Sequence, residues 1–141
     1  MIANDEKLYI HSEIVHKISE TIGNVIEYET GGLIGMRENE CTDFVFDKGI
    51  LSDENTYIPD THFLNDILKR WNALGIDFCG LVHSHKNNPE LSADDLKYAV
   101  EILKSNDLKE IYMFIYITSR KKLNSYIVTT ETVKRVRLVV V

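Results

Sequence analysis

Two histidines one residue apart, followed by a serine and an aspartate, are the residues of this chain whose types and order could do chemistry. They are His83, His85, Ser92 and Asp95. Alternate side chains of a strand leave the same face, so His83 and His85 project together and can share one metal ion. Neutral imidazole suits zinc, and two histidines with one carboxylate make a zinc set that leaves a fourth position for water. Asp95, in the first turn of the next helix, would complete that set once the loop 86–91 brings the chain back. The Ser92 hydroxyl lies three residues earlier on the same side of that helix and could donate to a developing oxyanion. A metal-bound water also needs a proton acceptor. Glu29 is the candidate, because Thr30-Gly31-Gly32 after it open an apolar strand that could lie beside the histidine strand.

The same residues have a plainer account. Ser-x-x-Asp is an ordinary helix start, in which Ser92 caps free N–H groups and Asp95 sits at the positive end of the helix dipole. By local pattern alone, metal binding and a capped helix with surface histidines stand level. The two are compatible, since an aspartate held in a first helical turn is already rigid.

The elements that must position these residues can be read from periodicity. Leu8–Ile10 is a short entry strand. Ser12 caps a helix carrying Ile14, Val15, Ile18 and Ile22, with Gly23 as its stop. Gly31–Met36 and Phe44–Leu51 read as strands joined by the polar stretch 37–43. Asp60 caps a second helix with Phe63, Leu64, Ile67, Leu68, Trp71 and Leu74 on one face and Gly75 at its end. Ile76–His85 is the histidine strand, and Ser92 starts a third helix carrying Leu96, Ala99, Val100 and Leu103. Ile111–Thr118 is a buried central strand, and Leu123–Thr129 and Val133–Val141 are further strands. The order predicts a mixed α/β fold, a sheet flanked by helices.

Composition narrows the function classes. The 141 residues suit one domain with one hydrophobic core. A net charge of -6 argues against a general nucleic-acid binder, which needs a basic face to replace counterions. The start of the chain has no basic segment followed by an apolar run, and no apolar run is long enough to span a bilayer. Cys41 and Cys79 form no CxxC pair, which predicts a reduced cytoplasmic protein. Strict alternation puts Cys79 on the face of His83, where a buried small residue is the expected role. Trp71 is expected in the core. Lys134, Arg135 and Arg137 are expected on a solvated face, and Lys86 is expected to point to solvent.

Glu29, His83-Ser84-His85, Ser92 and Asp95 in this order resemble the signature of the JAMM metalloproteases, also called MPN+ or JAB domains. Glu29-Thr30-Gly31-Gly32-Leu33-Ile34-Gly35 is similar to that family's Glu-containing strand entry, and Gly80-Leu81-Val82 with the histidines to its metal-binding strand. The resemblance runs from about Ser12 to Thr129. It implies one JAB/MPN domain over residues 1–141, with a cytidine-deaminase-like fold in which a curved mixed β-sheet is flanked by helices. It implies one zinc ion on His83, His85 and Asp95, with Glu29 beside it as general base and Ser92 holding the tetrahedral intermediate. The implied activity is hydrolysis of a peptide or isopeptide bond after the tail of a ubiquitin-like protein, with activating- or conjugating-enzyme-like proteins as partners. The loop 86–91 departs from the family. It is shorter by a residue and has Lys86 and Leu91 where the family has prolines, which bears on loop geometry more than on ligand identity. The short chain resembles a compact prokaryotic stand-alone domain.

Other readings are a non-catalytic MPN-type interaction module, which usually lacks the ligands, and a metal phosphoesterase, which usually needs two metals and more ligands. His11, His16 and His62 are the remaining histidines, and His16 and His62 read as surface residues. Cytidine deaminase chemistry is excluded, because His11-Ser12-Glu13 has no Cys-x-x-Cys to join it.

Overall fold

Apolar alternation and 3.6-residue periodicity divide this chain into strands and helices, and a computed structural model describes residues 6–50 and 57–141 of it. In chain order the elements are β1 (Lys7–Ile10), α1 (Ser12–Thr21), β2 (Gly31–Arg37), β3 (Glu40–Asp47), α2 (Thr61–Leu74), β4 (Asp77–His85), α3 (Ala93–Ser105), β5 (Ile111–Ile117), β6 (Lys122–Val128) and β7 (Val133–Val140). A short 3-10 turn at Ile22–Asn24 follows α1.

The strands pair in the order β1-β3-β2-β4-β5-β6-β7, and β1 returns to β7 in parallel, so the curved sheet closes on itself. Pairing is mixed. β2 is antiparallel to β3 and β4, while β4 and β5 are parallel, with α3 as their crossover. The expected mixed α/β fold with a curved sheet and flanking helices is therefore found. The sheet divides the expected single core into two layers. Ile14 and Ile18 of α1 pack on one face with Ile10, Ile34, Val82 and Phe114. Leu64, Ile67 and Trp71 of α2 pack on the other, with Ala99 and Leu103 of α3 and Leu33, Leu81 and Met113. No helix among the described residues is long and apolar enough to cross a membrane.

Helix ends mostly follow the sequence signals. Asp60 caps α2 by accepting from the Phe63 N–H, and Gly75 closes it in the left-handed region at φ 75°. Ser92 caps α3 in a full capping box with Asp95. Ser12 is a correction: it is the first helical residue, and His11 is the N-cap without a side-chain bond. The sheet itself fixes that entry, since His11 N–H donates to Cys41 O and Ser12 N–H to Val141 O. Gly23 does not stop α1 alone, because the 3-10 turn runs through it.

Two strand features also differ from the periodicity. The polar stretch 37–43 is not a long turn. β3 begins at Glu40, and only Glu38 and Asn39 turn the chain, both left-handed at φ 51° and 68°. Two such residues make the primed hairpin turn that matches strand twist, but no glycine announces it. The strand expected to run to Leu51 ends at Asp47, and Leu51 lies outside the described residues. In β4 the pairing with β2 slips between Ile34 and Gly35, which face Gly80 and Phe78. This bulge reverses the alternation, so Cys79 packs with Val82 in the α1 layer, 3.8 Å from Cys41 Sγ, and not on the face of His83. Gly80 is required at the bulge, because a Cβ there would lie 1.8 Å from the Tyr112 carbonyl oxygen.

Trp71 anchors α2 to the sheet. It is 6% exposed, and a Cβ on Gly35 would come within 2.9 Å of its ring. Trp71→Ala is expected to cost about 3–5 kcal/mol, from lost burial plus the cavity left over Gly35. Urea unfolding measures this, and a loss under about 1 kcal/mol would contradict the packing described.

Candidate metal centre

The pairing of β2 with β4 brings the chemical residues together. Gly31 lies opposite His83. One step further, Ser84 N–H donates to Thr30 O at 2.9 Å, and Thr30 N–H donates to Ser84 Oγ at 3.1 Å. Thr30 thus faces Ser84, and continuing the antiparallel register sets Glu29 beside His85. One donor atom each from Glu29, His83 and His85 lie within 4.8 Å of one another. The proximity of Glu29, which local spacing left open, is a product of this register.

Asp95 arrives from α3. Its Oδ1 is 3.1 Å from His83 Nε2, and its Oδ2 is 3.3 Å from His85 Nε2. The two Nε2 atoms are 3.2 Å apart. Bonds of about 2.0–2.1 Å to a tetrahedral zinc would set its donors about 3.3–3.4 Å apart, close to the spacing of the two Nε2 atoms, and each of these has one Asp95 oxygen at a similar distance. Two imidazole nitrogens this close need a proton or a cation between them, because facing lone pairs repel. The donor types fit zinc: His83, His85 and Glu29 offer one set of atoms that could hold an ion, and Asp95, against both histidines, is a further candidate ligand.

Two of the candidate ligands, His85 and Asp95, are held from behind by hydrogen bonds. His85 Nδ1–H donates to the Asn88 carbonyl at 2.9 Å, which leaves Nε2 bare for a metal. Asp95 Oδ2 also accepts the Ser92 N–H at 2.8 Å, so the bond that caps α3 aims the carboxylate. The Tyr57 ring stacks over His83 at 6.1 Å between centroids. The loop 86–91, without the proline stiffening of the JAMM pattern, is fixed by cross-bonds. Lys86 O accepts from Ser119 N–H, Pro89 O accepts from Tyr126 O–H, and Leu91 packs on Ile115, Ile117 and Tyr126.

The set opens into a cleft of about 650 Å³, lined on one side by Tyr57, Ile58, Pro59 and Tyr98. Lys86 is exposed at its rim, as expected of a lysine. Ser92 also faces the cleft, and its Oγ accepts from Asp95 N–H, which leaves its own proton free to donate.

The charges respond to this crowding. Burial pushes the Glu29 pKa up, and His83 and His85 only partly oppose it. Burial would raise Asp95, but hydrogen bonds with His83 and His85 outweigh it and hold its carboxyl well below the usual range. Burial would lower His85, yet bonds with Asp95 and the Asn88 carbonyl raise it above its ordinary value.

Glu29, His83, His85, Ser92 and Asp95 thus all line one cleft. Ser84, Asn88, Tyr126, Tyr57 and Asp47 were not singled out. Ser84 could have been noticed as the residue between the histidines on the opposite strand face. The others carry no local signal, because they reach the site through tertiary contacts. Of the bland expectations, Trp71 is core, and Lys134, Arg135 and Arg137 are exposed.

No family model matches the sequence, and no characterised protein is significantly similar to it by sequence. Solved structures are similar to it in fold. A Desulfitobacterium hafniense protein determined in solution superimposes with a TM-score of 0.73 at 15% identity, over 94% of this chain and 92% of that one. A JAB1/MPN domain protein from Archaeoglobus fulgidus superimposes at 0.55 and 17% identity, over 95% and 96% of the two chains. A structure described as JAMM, a metalloprotease-like zinc site in the proteasome and signalosome, does so at 0.56 and 15%, over 96% and 99%.

A metal ion bound here would compete with protons for the histidines. Without metal, the raised His85 pKa stabilises the fold below the ordinary histidine range, and that contribution is lost as pH rises through the raised value. Zinc needs the bare ring, so its stabilisation runs the other way. The rise in Tm on adding zinc is expected to be full near about pH 8 and to shrink toward about pH 5. Thermal melts with and without zinc check this, and a pH-independent rise would contradict it. Tyr126→Phe frees the loop and is expected to weaken zinc binding about tenfold, measured by chelator competition.

Proposed function

We propose that this chain, which has the JAB1/MPN fold, is a zinc-dependent peptidase or isopeptidase of the JAMM type. The observation that carries the reading is the cluster in which His83 Nε2 and His85 Nε2 stand 3.2 Å apart, each within 3.3 Å of one Asp95 oxygen, with the Glu29 carboxylate beside them. His83, His85 and Asp95 hold the zinc. When bound, zinc acidifies a water and polarises a carbonyl, so no serine or cysteine nucleophile is needed. Glu29 takes a proton from water in the cleft and passes it to the leaving amine. Its burial-raised pKa favours that role, since a stronger base takes the proton more readily. The Ser92 hydroxyl donates to the oxygen that gains negative charge. The apolar wall at Ile58, Pro59 and Tyr98 holds an extended chain over the ligands and limits water there.

The proposed substrate class is supported by the motif resemblance, and the fold is shared with a structure described as a zinc site in the proteasome and signalosome. It is a ubiquitin-like protein or its conjugate, cut after the C-terminal tail. Activating- or conjugating-enzyme-like proteins acting on the same tail are the partners, and the cytoplasm is the compartment.

A second reading has its own observation. Asp95 bridges both histidines directly, so the cluster is satisfied by its own hydrogen bonds. In that reading the chain is a non-catalytic interaction module in which the cluster only ties α3 to the sheet.

The two separate on one experiment. The metallopeptidase is expected to hold about one zinc per chain and to cleave tail fusions or isopeptide conjugates of ubiquitin-like proteins. Glu29→Gln is expected to keep the zinc and lose hydrolysis by about 10²–10⁴-fold. A zinc-loaded chain that cleaves none of these substrates, or a fully active Glu29→Gln, would sink the catalytic reading. A chain that purifies without zinc and folds normally as His83→Ala supports the module.

A further inference from the structure

Asp47 is a carboxylate that the reading above does not use. It is 4% exposed, at the end of β3, on the same row of the sheet as Gly31 and His83. Among the described residues, three donors converge on it. Gly49 N–H meets Oδ1 at 2.9 Å, and Tyr57 O–H and Asp60 N–H meet Oδ2 at 2.6 and 2.9 Å. None of these donors is a cation, so the carboxylate is satisfied by the two ends of one connection. Those ends are drawn together again by Ile50 N–H donating to Ile58 O at 2.9 Å.

Tyr57 is what this anchor places. Its ring lies in the slot above Gly31, between Asp47 and His83. A Cβ on Gly31 would stand 2.7 Å from that ring, so glycine leaves the room. One end of the ring is bonded to Asp47, and its face covers His83, nearly parallel at 15°. The Tyr57 backbone N–H then donates to Glu29 Oε1 at 3.3 Å. Burial first, and then Asp47, push the phenol pKa far above its ordinary value, so it stays a donor.

We infer that Asp47 and Tyr57 are positioning residues, which through the Tyr57 N–H hold the Glu29 carboxylate at one orientation beside His83 and His85. The inference rests on the reading of Glu29 as general base. A carboxylate free to rotate spends less time aimed at its proton, and small misplacements of a base cost rate more than binding. Asp47 therefore acts on the rate through Tyr57 and does not touch the substrate.

The test uses the full chain with Tyr57→Phe, which removes one hydroxyl and keeps the ring, and Asp47→Asn beside it. Two readouts are taken: steady-state kinetics on a cleavable tail fusion, and hydrogen exchange of the Tyr57 amide by NMR. The expected result is a fall in kcat of about tenfold for Tyr57→Phe, with KM and zinc affinity changed less than about twofold. The Tyr57 amide should exchange faster in Tyr57→Phe and also in Glu29→Ala, which removes its acceptor. Unchanged exchange in both variants overturns the inference whatever the activity. Faster exchange with unchanged kcat reduces the pair to a structural role and also overturns it. If Asp47→Asn fails to fold, Tyr57→Phe decides alone. If the zinc-loaded wild type cleaves nothing, the catalytic reading has failed separately. The exchange data then still decide whether Asp47 and Tyr57 hold the Glu29 carboxylate.

Discussion

The pairing of β2 against β4 is the constraint on which the site depends. It sets Gly31 opposite His83 and Thr30 opposite Ser84, and so carries Glu29 to His85. A slip of one residue would turn every one of these side chains to the other face. The register is held by features on both faces. Leu33 and Leu81 lie in the layer under α2 and α3, and Ile34 and Val82 lie in the layer under α1. Next to them the Thr30 N–H donates to Ser84 Oγ, a bond that ties the Glu29 end of β2 to the histidine strand. Core packing and site geometry are here the same arrangement.

Asp95 shows the same economy at a helix end. In an ordinary capping box the first-turn acid accepts the N-cap N–H and its remaining lone pairs face water. Here the carboxylate accepts from Ser92 N–H and also meets both histidines, so the cap orients the ligand. The account of Ser92 and Asp95 as a helix start is found in the capping box, and the same box sets the Asp95 carboxylate against both histidines. The helix supplies rigidity, and the parallel β4–β5 crossover supplies the position.

The loop between His85 and Ser92 replaces one kind of stiffness with another. Proline restricts a loop through its own backbone. In this chain Asn88 and Lys86 are fixed through their carbonyls, Pro89 through Tyr126, and Leu91 through burial. Such cross-bonds restrict the loop only in the folded state, whereas proline also restricts it unfolded. His85 and Asp95 therefore still meet despite the departure from the JAMM pattern, with the sheet and β6 bearing part of the constraint.

The sequence by itself determined the element types, the helix ends at Asp60, Gly75 and Ser92, and the types and order of the metal-site residues. These are short-range matters. A capping residue, a left-handed glycine and a His-x-His on one strand face follow from geometry within a few bonds of each residue. Only the tertiary structure decided that Glu29 reaches the histidines and that the curved sheet closes. It also turned Cys79 away through a bulge, and it brought Asp47 and Tyr57 to the site. Each of these depends on register or contact between segments distant in sequence. Register is chosen by packing summed over whole strands, and no local pattern records that sum.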